Sequence, residues 1–155
     1  LMIGINGIAG GAATIGCCVQ MIGFAVMSYK DNKISGVISV GIGTSMLQFS
    51  NCLKKPIVWL PTIITSAILG PIGVCLFNIS NNDSLLSGMG TCGFTGILGA
   101  YNTMIETYSP LVVILSLLLV CIILPAILTW VIYYIFIKLN WIKNGDLKIN
   151  FGNSK

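Results

Sequence analysis

Charge is almost absent from this chain, and its placement constrains the fold more than its amount. Five runs carry no charged side chain: 1–29, 34–53, 56–82, 84–105 and 107–137. A bilayer crossing needs about 20 residues of predominantly apolar helix, so each run is long enough to enter or cross a membrane. Only 8% of the 155 residues are charged and 55% are hydrophobic. Soluble domains carry about 25% charged residues and cover themselves with them. This composition excludes a soluble globular protein and predicts an all-α integral membrane protein.

Two of the five runs make poor ordinary membrane helices. Residues 34–53 include ten Gly, Ser, Thr, Gln or Asn among twenty, and residues 84–105 include eleven Gly, Ser, Thr or Asn among twenty-two. Each holds one copy of a Gly-x-Gly-Thr-small pattern, Gly41-Ile42-Gly43-Thr44-Ser45 and Gly88-Met89-Gly90-Thr91-Cys92. Each copy is followed by a pair of prolines fifteen residues apart, Pro56 and Pro71, then Pro110 and Pro125. The spacing suggests an internal duplication of the kind that inverted-repeat transporters carry. Irregular backbone at membrane depth is tolerated only where protein or a water-filled cavity surrounds it. The expectation is therefore two opposed re-entrant hairpins, broken at the glycine motifs, whose tips meet.

The lysines set the topology. The net charge is +4, from eight Lys and four acids. Lys30 and Lys33 follow the first run, Lys54 and Lys55 the second, and Lys138, Lys143, Lys148 and Lys155 the last. Five simple crossings would put Lys30/Lys33 and Lys54/Lys55 on opposite faces. Three crossings with two hairpins put every lysine on one face, which the positive-inside rule makes cytoplasmic. The C-terminus is then cytoplasmic too, with residues 1–142 as the membrane domain and 143–155 as a loose polar tail. Lysines confined to segment ends serve as orientation signals and give no footprint for nucleic acid. With Leu1 already at membrane depth and no cleavage signature, the chain reads as part of a longer transporter.

Within the segments, Gly7 and Gly11 make a GxxxG step that lets another backbone approach, and the start around Asn6 is open to unwinding. Gln20 either bonds between helices or faces a cavity. Thr44, Ser45, Gln48 and Asn51 cluster after the first break, with Ser45, Gln48 and Asn51 at three-residue steps. Thr91, Thr95, Asn102 and Glu106 supply polarity in the second, where Gly88, Cys92, Gly96 and Ala100 form a small-residue ladder at four-residue steps. Glu106 marks either a functional carboxylate or the outer membrane surface. Gly70-Pro71 is expected to break or kink the third segment. Trp130, Tyr133, Tyr134 and Trp141 form an aromatic band at the end of the fifth.

Soluble-enzyme chemistry has little to work with. The absence of His removes the commonest general base and metal ligand. Cys17, Cys18, Cys52, Cys75, Cys92 and Cys121 lie in apolar runs without CxxC spacing and read as small hydrophobes. Neither glycine motif has dinucleotide or Walker spacing. No catalytic residue, metal site or cofactor is expected. The hydroxyls and amides of Thr44, Ser45, Gln48, Asn51, Thr91, Thr95 and Asn102 both donate and accept, which suits a polyol. The competing account is that they hold the hairpins to their neighbours.

The runs Gly16 to Tyr29, Gly41 to Gln48, Pro56 to Pro61, Ser66 to Pro71 and Gly88 to Thr91, in that order, resemble the phosphotransferase-system enzyme IIC permeases. They are most similar to the branch that includes perfringolysin regulator-like proteins. The resemblance covers roughly residues 4–105 and implies a bacterial sugar-permease fold in the cytoplasmic membrane, with the N-terminal half of the parent chain missing. It leaves room for a homodimer formed through that half. It implies a sugar substrate held near Gln20, Thr44, Ser45, Gln48 and Thr91, and a cytoplasmic IIB-type phosphocarrier that performs the phosphorylation. Some relatives are regulators, so a membrane sensor that binds ligand without transporting it is the alternative. An ion-coupled transporter using Glu106 is a third reading.

Overall fold

The computed structural model describes residues 7–143 and 145–149. Among these residues the chain is helical and has no strand. Helix α1 begins at Ile8 and is continuous in hydrogen bonding to Ile38, but Lys33 interrupts it with φ 54° and ψ −151°. A straight helix would hold residues 25 and 41 about 24 Å apart at 1.5 Å per residue. Here a Cβ placed on Gly41 would lie 3.1 Å from the Ala25 Cβ. The chain therefore reverses at Lys33 and runs back along its own helix. Asn6 lies outside the described residues; the helix is regular from Ile8 to the interruption at Lys33.

A π-helical turn, Ser39–Gly43, ends this returning arm, and Thr44 is extended at φ −155°, ψ 136°. A 3₁₀ turn, Ser45–Gln48, and the short α2, Phe49–Lys54, lead away again. Both ends of this helix–break–helix turn reach one corner of the molecule. Asp31, before the reversal, accepts from the Gly145 and Leu147 N–H groups. Lys55, after α2, pairs with Asp146 at 2.7 Å.

A 3₁₀ turn, Pro56–Trp59, opens α3, Leu60–Phe77. The helix continues through Pro71, so Gly70-Pro71 does not break it. It packs antiparallel on α1, with Gly23 opposite Thr62 and Gly73 opposite Ile15. Asn78 stops it in a left-handed conformation at φ 48°. The second glycine-rich segment has no long first arm. A 3₁₀ turn at Leu86–Gly88, a turn at 89–91 and a second 3₁₀ turn at Cys92–Phe94 precede α4, Thr95–Met104. Gly88 thus sits on a different element from Gly96 and Ala100, and the four-residue ladder is not one helix face.

The last crossing is α5, Pro110–Leu118, a π turn at Leu119–Ile123, and α6, Leu124–Lys138. Pro125 has no N–H to give the ladder, and the wider turn just before it absorbs that loss. Among the described residues, three helical stretches are long and apolar enough to cross a membrane: Ile8–Gly43, which includes the reversal at Lys33, Pro56–Phe77 and Pro110–Lys138.

Two apolar clusters hold these helices together. One, around Ile15, Val19, Leu69, Val113 and Leu117, lies toward the end carrying Asp83 and Glu106. The other, around Phe24, Met27, Val40, Val58, Tyr133 and Phe136, lies at the lysine end and also takes in Ile142, Leu147 and Ile149. The described part of the tail is therefore not loose: Leu147 is fully buried. Between the clusters Gly23 admits the Thr62 and Thr129 side chains, and the Thr129 hydroxyl donates to that of Thr65 at 3.2 Å.

Gly11 sits against the Ile79 backbone, and a Cβ there would collide with the Ile79 carbonyl, whereas a Cβ on Gly16 would meet nothing. Overpacking of this kind costs typically about 1–3 kcal/mol. Thermal unfolding in detergent should show Gly11→Ala melting several degrees below the parent and Gly16→Ala unchanged.

Candidate functional site

The two Gly-x-Gly-Thr motifs meet. A helix end leaves its last carbonyls without intrahelical partners, and the returning arm ends at Gly43. The Thr91 hydroxyl donates to the Gly41 carbonyl at 2.8 Å, and the Cys92 thiol donates to the Gly43 carbonyl at 3.0 Å. The second motif is itself pressed onto α1. Gly90 has φ +55°, and a Cβ on it would lie 2.7 Å from the backbone carbon of Cys17. Only glycine suits both the dihedral and the approach. Its carbonyl accepts from the Gly96 N–H at 3.1 Å, which fixes the start of α4.

The remaining residues singled out by the sequence fall in four places. Thr44 is exposed and its hydroxyl caps the following turn by accepting from the Met46 N–H at 3.2 Å; Ser45 is half-buried beside it. Thr95 donates to the Cys92 carbonyl at 2.7 Å. Thr44, Ser45, Thr91 and Thr95 thus belong to the junction of the two motifs.

Gln48 and Asn51 form a second place, at the lysine end. Gln48 is fully buried. Its Nε2 donates to the Ser28 hydroxyl at 3.1 Å and the Leu147 carbonyl at 3.0 Å, and its Oε1 accepts from Asn51 at 2.7 Å. Asn51 also donates to the Lys148 carbonyl at 3.1 Å. The three-residue step does bring these two amides together, but both are engaged with the C-terminal segment.

Gln20 is a third place. It lines a cleft of about 300 Å³ between α1 and α3 with Trp59, Thr62, Ile63 and Ser66. Its amide makes no hydrogen bond among the described residues. The fourth place is a more open cleft of about 500 Å³ at the opposite end from the lysines. Asn102 and Glu106 line it together with Asp83, Leu86 and Thr103. Glu106 is exposed there. The nine residues are not gathered around one cavity.

Several polar residues that organise these places were not singled out from the sequence. Asn81 is fully buried; its amide donates to the Thr14 hydroxyl at 3.0 Å and its Oδ1 accepts from the Asp83 N–H. Asn32 and Ser28 brace the C-terminal segment. Their signal was present as polar residues flanking apolar runs, but a chain position next to a loop reads as solvated until a partner is known.

Together these features define a membrane protein of three long helices with two glycine-broken elements joined at their tips. The family model for phosphotransferase system EIIC matches residues 1–149. No curated protein and no solved structure matches the chain. The chain belongs to the phosphotransferase system EIIC family and is a membrane permease component of such a system.

Asp146 gives the lysine end a pH signature. Burial pushes its carboxyl up, but the Lys55 ammonium, the Lys143 N–H and the nearby lysine charges outweigh it and hold the pKa below its ordinary value of 3.8. A depressed carboxyl stabilises the fold fully above its unfolded pKa and loses that contribution as pH falls through its folded one. The melting-temperature gap between the parent and Asp146→Asn should be constant near neutral pH and close once the medium is acid enough to protonate Asp146. At the junction, Thr91→Val leaves a buried carbonyl unpaired, at a cost of about 1–3 kcal/mol. It should lower the melting temperature, and Thr91→Ser should restore it.

Proposed function

We propose that this chain binds and translocates a sugar, with the junction of the two Gly-x-Gly-Thr motifs as the point past which the sugar moves. The observation that carries the reading is the Thr91–Gly41 bond, which joins two broken elements within a chain of the EIIC family. Such breaks expose backbone donors and acceptors to whatever fills the space beside them, and uncharged hydroxyls and amides match a polyol without attracting an anion. On this reading the helix–break–helix turn over residues 34–54 and the segment over 84–105 are re-entrant hairpins from opposite faces. Residues 1–142 form the membrane domain, with the lysine end cytoplasmic.

The sugar would contact the side chains not committed to internal bonds: Gln20 in its cleft beside Trp59, and Ser45 at the junction. Thr44, Thr91 and Thr95 shape the junction, Gln48 and Asn51 hold its supporting arm, and Asn102 with Glu106 lines an entrance on the far side. A separate IIB-type phosphocarrier at the lysine end would phosphorylate the sugar, so this chain itself would not carry out the transfer.

Counterflow in proteoliposomes, with labelled hexoses, hexosamines and disaccharides, tests this on the full-length protein. For the sugar that the parent carries, Gln20→Ala and Ser45→Ala should each cut uptake by about tenfold, the loss of one good hydrogen bond to a ligand. Their melting temperatures should stay at the parent value. Uptake that survives both changes would remove these residues from the path. Binding without any counterflow would favour a sensor.

A further inference from the structure

The densest polar network in the described residues serves no sugar: it grips the chain's own residues 145–149. Four side chains flanking or within the 34–54 turn read this segment's backbone, and a fifth holds its carboxylate. Asp31 accepts from the Gly145 and Leu147 N–H groups, and Asn32 Oδ1 accepts from the Ile149 N–H at 2.8 Å. Asn32 Nδ2 and Gln48 Nε2 both donate to the Leu147 carbonyl, at 2.7 and 3.0 Å, and Asn51 donates to the Lys148 carbonyl at 3.1 Å. Lys55 holds the Asp146 carboxylate through both oxygens, at 2.7 and 2.8 Å.

The segment is folded into turns rather than a strand: the Asp146 N–H donates to the Lys143 carbonyl and the Lys148 N–H to the Gly145 carbonyl, each at 3.2 Å. Leu147 and Ile149 are buried in the cluster that includes Phe24, Met27, Val40 and Cys52, while Lys148 between them is exposed. Donors and acceptors are thus set around a turn, above an apolar floor that takes the Leu147 and Ile149 side chains.

The gripped residues bridge the two arms of one element. Asp31 and Asn32 precede the reversal at Lys33, while Gln48, Asn51 and Lys55 follow the break at Thr44. The outer faces of those arms contribute little packing: Ile34, Met46 and Leu53 are each at least 65% exposed. We propose that this corner is a recognition groove for an acid–apolar–x–apolar segment folded as a turn, occupied in cis by Asp146-Leu147-Lys148-Ile149. Its occupation latches the helix–break–helix turn, and release of the segment frees the turn to move.

Native cysteines report the latch. Cys52 is buried in the same cluster as Leu147 and Ile149, at 4% exposure, while Cys18 is fully buried in the other apolar cluster. In the full-length protein, Leu147→Asp places a charge on the apolar floor and should expel the segment. Labelling with N-ethylmaleimide, read cysteine by cysteine by mass spectrometry, should then show Cys52 reacting at least about tenfold faster, a local opening rather than a global one. Cys18 should react as in the parent. A synthetic Gly-Asp-Leu-Lys-Ile peptide added to this variant should protect Cys52 again.

Unchanged Cys52 reactivity, or no protection by the peptide, overturns the proposal. A parallel rise at Cys18 would report unfolding of the variant, and hydrogen exchange of the parent protein then decides. Protected amides at Gly145, Leu147 and Ile149 support the latch, and exchange at free-peptide rates overturns it. None of these readouts involves a sugar, so the result stands apart from the transport reading.

Discussion

A helix that stops inside a packed bundle must find partners for its last carbonyls, because buried surroundings offer no water to pair them. The rest of this structure depends on how that demand is met. The arm ending at Gly43 presents its Gly41 and Gly43 carbonyls to Thr91 and Cys92. The segment carrying those two side chains is in turn held against α1 by the close approach of Gly90 to Cys17. Each broken element therefore supplies what the other lacks, and α1 is the surface on which they meet. Small side chains are needed throughout, since a bulkier residue at position 41 or 90 would push the partners beyond hydrogen-bonding reach.

The two ends of the molecule solve a different problem in parallel ways. At the end carrying Asp83 and Glu106, buried Asn81 ties the chain after α3 to Thr14 on α1, and Gly7 exchanges backbone and side-chain bonds with residues 81 and 82. At the lysine end, Asn32, Gln48 and Asn51 tie the C-terminal segment to the arms of the first broken element. In both places amide side chains stand in for secondary structure, satisfying irregular backbone that no helix or sheet ladder can reach. Buried amides of this kind cost free energy unless every donor and acceptor is used, which accounts for their dense pairing. The apolar clusters between these ends then align three helices, and the threonine seam around Gly23 lets them pack closely without a void.

Much of this was legible in the sequence. Charge-free runs of membrane length predicted helices that span, and the structure has three of the required length and apolarity. Loading of Gly, Ser and Thr marked where helices would break, and Thr44 is such a break. The ends of the 34–53 run, which the lysines flank, both lie beside the C-terminal segment. Less legible was the inner form of each element. The segment over 84–105 shows the same composition as 34–53, yet only its second half is a regular helix. Pro71 looked like a break, but α3 runs through it.

The sequence by itself determined the solvent in which this protein folds, the number of long apolar helices and the positions of the weak points, because those follow from local composition and hydropathy. Only the tertiary structure decided what the polar residues do. Gln48 and Thr91 looked equally suited to a ligand, but their hydrogen-bonding capacity is taken up by Leu147 and Gly41, which lie 99 and 50 residues away. The polar tail from Lys143 onward looked loose for the same reason, since its partners Asp31, Asn32 and Lys55 belong to other segments. A side chain's chemistry is written at its own position. Whether that chemistry is spent internally or left for a ligand depends on which distant backbone is brought within 3 Å or so of it, a distance fixed by packing.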